Sequence, residues 1–300
     1  MNIRFCLLLA VLVVPPQGFA QTPEDPLLTS GQDPPGAVSP VAVPFKLYQD
    51  YLIVVQGALG TLDRMNFLID TGASPTKVDP RIADKLGLTA SAPHTLALFN
   101  QNLDVAQVVL PSLKLGPIRA ETLPGVIVDL SHFEKILGVR IDAVIGFDVL
   151  SLSSFSIDYR AKKIVFGPVE PSAQSVPFET GPPVLTVELH IEDEPLRLLI
   201  DTGAAELVLF QCSLPDRLRR LQSSDPKRSF FNGAGQEVDL TEVKLKGVRL
   251  GATDLRLQTG LAANDDANCG RPFNGVVGVT RLGLRWVAFD FAHRLFSWKT

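Results

Sequence analysis

Phe67-Leu68-Ile69-Asp70-Thr71-Gly72-Ala73 recurs further along the chain as Leu198-Leu199-Ile200-Asp201-Thr202-Gly203-Ala204. Working outward from these two stretches, four more pairs of segments keep the same register. Val43-Pro44-Phe45 matches Val176-Pro177-Phe178, and Phe99-Asn100 matches Phe231-Asn232. Val144-Ile145-Gly146 matches Val276-Val277-Gly278, and Ile157-Asp158-Tyr159 matches Phe289-Asp290-Phe291. Five matches in one register predict two homologous lobes, residues 43–168 and 176–300, joined by a linker at 169–175.

Local signals predict mainly β lobes. Tyr51–Val55 and Leu185–Ile191 are rich in β-branched residues, as strands are. Asn66–Ile69 and Arg197–Ile200 are short apolar runs leading directly into Asp70 and Asp201, which suits buried strands. Val78–Gly87 carries helix punctuation: Asp79 as cap, Pro80 in the first turn and Gly87 as stop. Ser213–Leu221 predicts a helix in the corresponding place of the second lobe. Ser131-His132-Phe133-Glu134 reads as a capping box opening an extra helix in the first, whereas Ala262–Arg271 has no helical pattern.

A single Asp-Thr-Gly is an ordinary turn sequence. Two copies at matching positions predict that the loops meet on a pseudo-two-fold axis, with Asp70 and Asp201 as neighbouring carboxyls in a partly desolvated cleft. Like charges so close cannot both ionise cheaply, so the pair holds one proton. The ionised member would take a proton from water while the protonated member donates to a carbonyl oxygen. Thr71 and Thr202 would bond across to the opposite loop. Gly72 and Gly203 would permit the sharp backbone path and leave amides for the carboxylates. Asp158 and Asp290 also repeat, and read as turn or surface carboxyls.

These residues resemble the aspartic protease clan, with the arrangement closest to retropepsin-like bacterial aspartyl proteases but with both lobes in one chain, as in pepsins. The resemblance spans nearly all of residues 43–300. It implies two retropepsin-like acid-protease lobes of closed β-barrel type and an aspartic endopeptidase acting on peptides or unfolded proteins, with no metal and no cofactor. Val144-Ile145-Gly146 and Val276-Val277-Gly278 match the clan's strand and turn beneath the catalytic loop. Flap hairpins are implied around Phe99, Asn100 and Gln101, and around Phe231, Asn232, Gly233 and Gly235. Two departures stand out. The chain's tyrosines are Tyr48, Tyr51 and Tyr159, so neither flap carries one. Ser74 and Ala205 follow Asp-Thr-Gly-Ala where retropepsins usually place an aspartate. A catalytically weak or inactive peptide-binding protein using the same cleft is therefore the alternative reading.

The remaining features set the context. Arg4 followed by the apolar run Phe5–Val14 and Pro15-Pro16 predicts a signal peptide at 1–20, cleaved near Ala20, and a secreted or periplasmic protein. Ten apolar residues ended by prolines are too few for a stable membrane span. Residues 21–42 hold five prolines and no aromatic residue, which predicts a linker. Cys212 and Cys269 remain after cleavage, either as a disulfide or as two buried thiols. A net charge of -4 gives no electrostatic reason to bind nucleic acid. Four dispersed histidines without a C-x-x-C or H-E-x-x-H argue against a zinc site. A monomer is expected, with a homodimer as the alternative.

Overall fold

The computed structural model describes residues 7–8, 11–13, 39–91, 93–99, 101–170, 172–181, 184–221, 223–263 and 269–299, and the chain is mainly β. In the first half, Leu52–Leu59 pairs antiparallel with Leu62–Ile69, which runs parallel to Ala143–Ile145. Ala143–Ile145 is antiparallel to Thr76–Val78, itself parallel to Leu123–Ile127. Leu123–Ile127 is antiparallel to Gln101–Leu110, the second arm of a hairpin begun by Pro93–Leu98. The second half passes through the same succession. Val184–Ile191 pairs with Glu194–Asp201, then come Gly275–Gly278, Leu207–Phe210 and Thr259–Ala263. The series ends on the hairpin Ser223–Asn232 and Glu237–Lys244.

The strands that carry Asp70 and Asp201 are sandwiched, which explains their unbroken apolar runs. Phe67, Leu68 and Ile69, and likewise Leu198, Leu199 and Ile200, have no exposed surface. A strand buried on both faces reads as a continuous hydrophobic run and not as an alternating one.

One sheet joins the halves. Its order is Val41–Tyr48, Lys163–Phe166, Phe155–Asp158, Trp286–Asp290, Leu295–Lys299 and Ser175–Gly181. Phe155 stacks on Phe289 across the central pair, with ring centroids 4.7 Å apart. Near the N-terminus, Leu7–Leu8 pairs in parallel with Phe231–Asn232, and Val11–Val13 pairs antiparallel with Leu96–Leu98. No helix among the described residues is long and apolar enough to cross a membrane.

The helices depart from expectation in two places. Pro80–Lys85 forms as predicted, with the Asp79 carboxylate accepting from the Arg81 amide. The helix Ser131–Leu137 also forms, but Ser131 is its first residue and makes no side-chain cap; Asp129 accepts from the Ser131 amide instead. Glu134 is turned toward Arg140, 2.9 Å away, and does not close a capping box. The helix predicted over Ser213–Leu221 is reduced to two single turns, Gln211–Ser213 and Leu218–Arg220. Between them Leu214 adopts ψ 147°, the extended backbone that the ring of Pro215 imposes on the residue before it.

Candidate active site

Each aspartate stands where a buried strand breaks into a turn. The Asp70 amide donates to the Ile145 carbonyl at 3.1 Å, so the strand Ala143–Ile145 holds the start of the turn. The Gly72 amide donates to Asp70 Oδ1 at 2.9 Å, and the Gly203 amide donates to Asp201 Oδ1 at 2.6 Å. The two carboxyls are neighbours that bear on each other's ionisation, and neither Oδ2 has a hydrogen-bond partner among the described residues. Two buried carboxyls so placed hold one proton between them, because like charges this close cannot both ionise cheaply. Both groups are inaccessible to solvent, and burial pushes both pKa values up. The charge of Asp70 raises Asp201 further.

Reciprocal bonds hold the loops together. Thr71 Oγ1 donates to the Ile200 carbonyl at 2.7 Å and accepts from the Thr202 amide at 3.0 Å. Thr202 Oγ1 donates to the Ile69 carbonyl at 3.0 Å and accepts from the Thr71 amide at 3.1 Å. Close approach explains the glycines here. A Cβ on Gly72 would sit 2.5 Å from Asp201 Cγ, and one on Gly146 would sit 2.5 Å from the Ala73 carbonyl oxygen. Gly278 is pressed in the same way against the Ala204 carbonyl. Hence the apolar-apolar-Gly elements lie directly beneath the two aspartate turns.

The two hairpins cross between halves. Phe99 is fully buried in a cluster of second-half side chains that includes Leu199, Ala204 and Phe210. Arg271 reinforces this with a 2.7 Å bond to the Leu98 carbonyl. Reciprocally, Phe231 and Ala234 pack against the first-half cluster containing Leu68, Ala73 and Phe133. The second tip turns through Gly233 and Ala234, and the Asn232 side chain accepts from the Ala234 and Gln236 amides. Gly235 has φ +75° and lies against His132. Gln101 opens the returning arm of the first hairpin, while Asn100 lies outside the described residues.

Other predicted residues fall outside this centre. Asp158 Oδ1 accepts from the Arg160 and Ala161 amides, and Asp290 Oδ1 from those of Ala292 and His293, so both close turns. Cys212 and Cys269 are bonded as a disulfide with Cα atoms 5.7 Å apart. No cluster of three metal-ligating side chains occurs among the described residues.

Three polar residues of the first half escaped the sequence reading. Asp148 accepts from the Thr76 amide at 2.9 Å and from Thr76 Oγ1 at 3.0 Å, and the same hydroxyl accepts from the Gly146 amide at 3.2 Å. This knot ties the supporting turn to the strand after Asp70, and burial raises the pKa of Asp148. Lys77, next to Thr76, is 1% exposed and its Nζ has no hydrogen-bond partner. The His132 ring lies tilted against Phe133, and desolvation lowers its pKa to about 4. The only signal available was the asymmetry of the repeat, since Val208 matches Lys77 and Thr280 matches Asp148.

A family model described as aspartyl protease matches residues 55–149, a stretch that contains Asp70 and Gly146. Over that stretch the chain resembles aspartyl proteases, and the class indicated is a peptidase of the aspartic type. Among solved structures, one similar chain is a retropepsin-like aspartic protease from Rickettsia conorii. It is 18% identical with a TM-score of 0.31, over 43% of this chain and 90% of that one. None of the curated proteins compared matches the chain.

Proposed function

We propose that the chain is an aspartic endopeptidase whose two lobes, related by a pseudo-two-fold axis, each supply one carboxyl. The observation that carries this reading is the neighbouring Asp70 and Asp201 carboxyls, both inaccessible to solvent, on turns held together by reciprocal threonine bonds. Supporting the pseudo-symmetry, the pairings of the two halves follow one succession and the joining sheet has the same order from either edge. In the reaction, the ionised carboxyl takes a proton from water as that water attacks the peptide carbonyl carbon. The protonated carboxyl donates to the carbonyl oxygen, and proton transfer to nitrogen then releases the amine.

Peptide is the substrate class that the hairpins suit. In the chain that still carries its leader, Leu7–Leu8 and Val11–Val13 pair with the two hairpins as added strands, the mode in which a sheet edge grips an extended peptide backbone. The apolar run after Arg4 and the Cys212–Cys269 disulfide support a secreted or periplasmic setting.

The test is cleavage of an unfolded peptide at acidic pH in the presence of a chelator. Asp70→Asn and Asp201→Asn should each lower kcat/KM by about a thousandfold or more. Full activity in either variant would reject the shared pair. Peptide binding without hydrolysis in the unaltered chain would favour the peptide-binding alternative.

A further inference from the structure

Lys77 has no evident structural duty. The residue in the matching position of the second half is Val208, fully buried in the core of that half. An apolar side chain therefore meets the packing needs of this position. A buried ammonium loses its hydration, a cost that nearby opposite charges offset.

Strand register shows what compensates it. Lys77 lies opposite Val144, Val144 lies opposite Leu68, and on its other side Lys77 is beside Val126. Side chains in one such row share a face of the sheet. Leu68, Val144, Val126 and Ala73 belong to one buried cluster, and Asp70 continues the same side of the chain two residues beyond Leu68. The row thus places the Lys77 side chain on the aspartate side, among apolar walls that provide no counter-charge. The neighbouring strands Leu123–Ile127 and Ala143–Ile145 carry no titratable side chain. The charges that Lys77 feels are those of Asp70, Asp201 and Asp148, and His132 feels Lys77 in turn. Burial lowers the amine's pKa, and the three carboxylates, Asp70 foremost, oppose that shift.

We propose that Lys77 is the counter-charge of the Asp70–Asp201 pair, a positioning residue that stabilises the anion the two carboxyls share. The inference rests on the reading of that pair as the catalytic centre. Its sign is fixed: a nearby cation favours every deprotonated form of the pair. Removing it moves both the loss of the first proton and the loss of the second to higher pH.

The experiment compares the full chain with Lys77→Met, an unbranched apolar replacement, and Lys77→Arg, which keeps the charge. In Lys77→Met, both limbs of the kcat/KM–pH profile should rise by about one unit, a tenfold change in proton affinity. Lys77→Arg should retain the limbs of the unaltered chain. Carboxyl 13C NMR titration of Asp70 and Asp201 should move in the same direction, and this readout holds whether or not the chain turns over substrate. It separates failure of this inference from failure of the peptidase reading. Should Met unsettle the fold, Lys77→Gln serves as the uncharged variant. Unmoved limbs and an unmoved carboxyl titration in a folded uncharged variant would overturn the proposal. Among such outcomes, a selective loss of activity on peptides with acidic side chains would assign Lys77 to substrate recognition.

Discussion

His132 is the residue at which acid costs the fold most visibly. Its imidazole is desolvated between Phe133 and the Gly235 turn, so its folded pKa of about 4 lies below the ordinary 6.5. The unfolded chain consequently binds the extra proton first. This contribution to stability is fully present above about pH 6.5 and is lost as pH falls toward about 4. Asp70, Asp201 and Asp148 act oppositely. Their raised pKa values favour the folded state below the ordinary carboxyl range, and that contribution declines as pH rises through their folded values. We predict that His132→Gln reduces the stability lost between about pH 7 and pH 4 by roughly 2 kcal/mol. Urea unfolding at a series of pH values measures this, and an unchanged slope would contradict it. None of this was legible in the sequence. A histidine in a capping-box pattern reads as surface helix, and the Gly235 turn that covers it lies a hundred residues away. The aspartates were legible because Asp-Thr-Gly needs its residue types locally.

At the scale of elements, the hairpins decide how the centre is enclosed, and each is anchored in the half it does not belong to. Phe99 and Phe231 were legible as paired hairpin residues, but not as exchanged anchors, because a long-range contact leaves no periodic mark. Gly235 is closely packed at the tip of the second hairpin. Its positive φ disfavours any side chain by about 1 kcal/mol, and a Cβ there would lie 2.8 Å from His132 Cβ. Gly235→Ala should therefore loosen the tip. Amide hydrogen exchange across 232–236 should quicken, and kcat/KM should fall by about tenfold, the effect of misplacing a positioning element. Unchanged exchange at the tip would show that its contact with the first half does not hold it. The second-half helix shows the converse limit of local reading. Ser213–Leu221 has helical spacing, yet Pro215 divides it into two turns.

For the whole molecule, the repeat in the sequence corresponds to two halves with the same succession of pairings, joined through one six-stranded sheet and two crossed hairpins. The duplicated motifs were legible because each Asp-Thr-Gly follows an apolar run, and the two turns lie against each other through the reciprocal threonine bonds. The polar interior of the first half was hidden, because Thr76, Lys77 and Asp148 lack counterparts in the second. This account requires both carboxyls of a centre to come from one chain. Mixing Asp70→Asn with Asp201→Asn and assaying peptide cleavage over a wide range of protein concentration tests that directly. We predict that the mixture stays as inactive as either variant alone at every concentration. Activity that returns on mixing and grows with concentration would show that the pair forms between chains, contradicting the account.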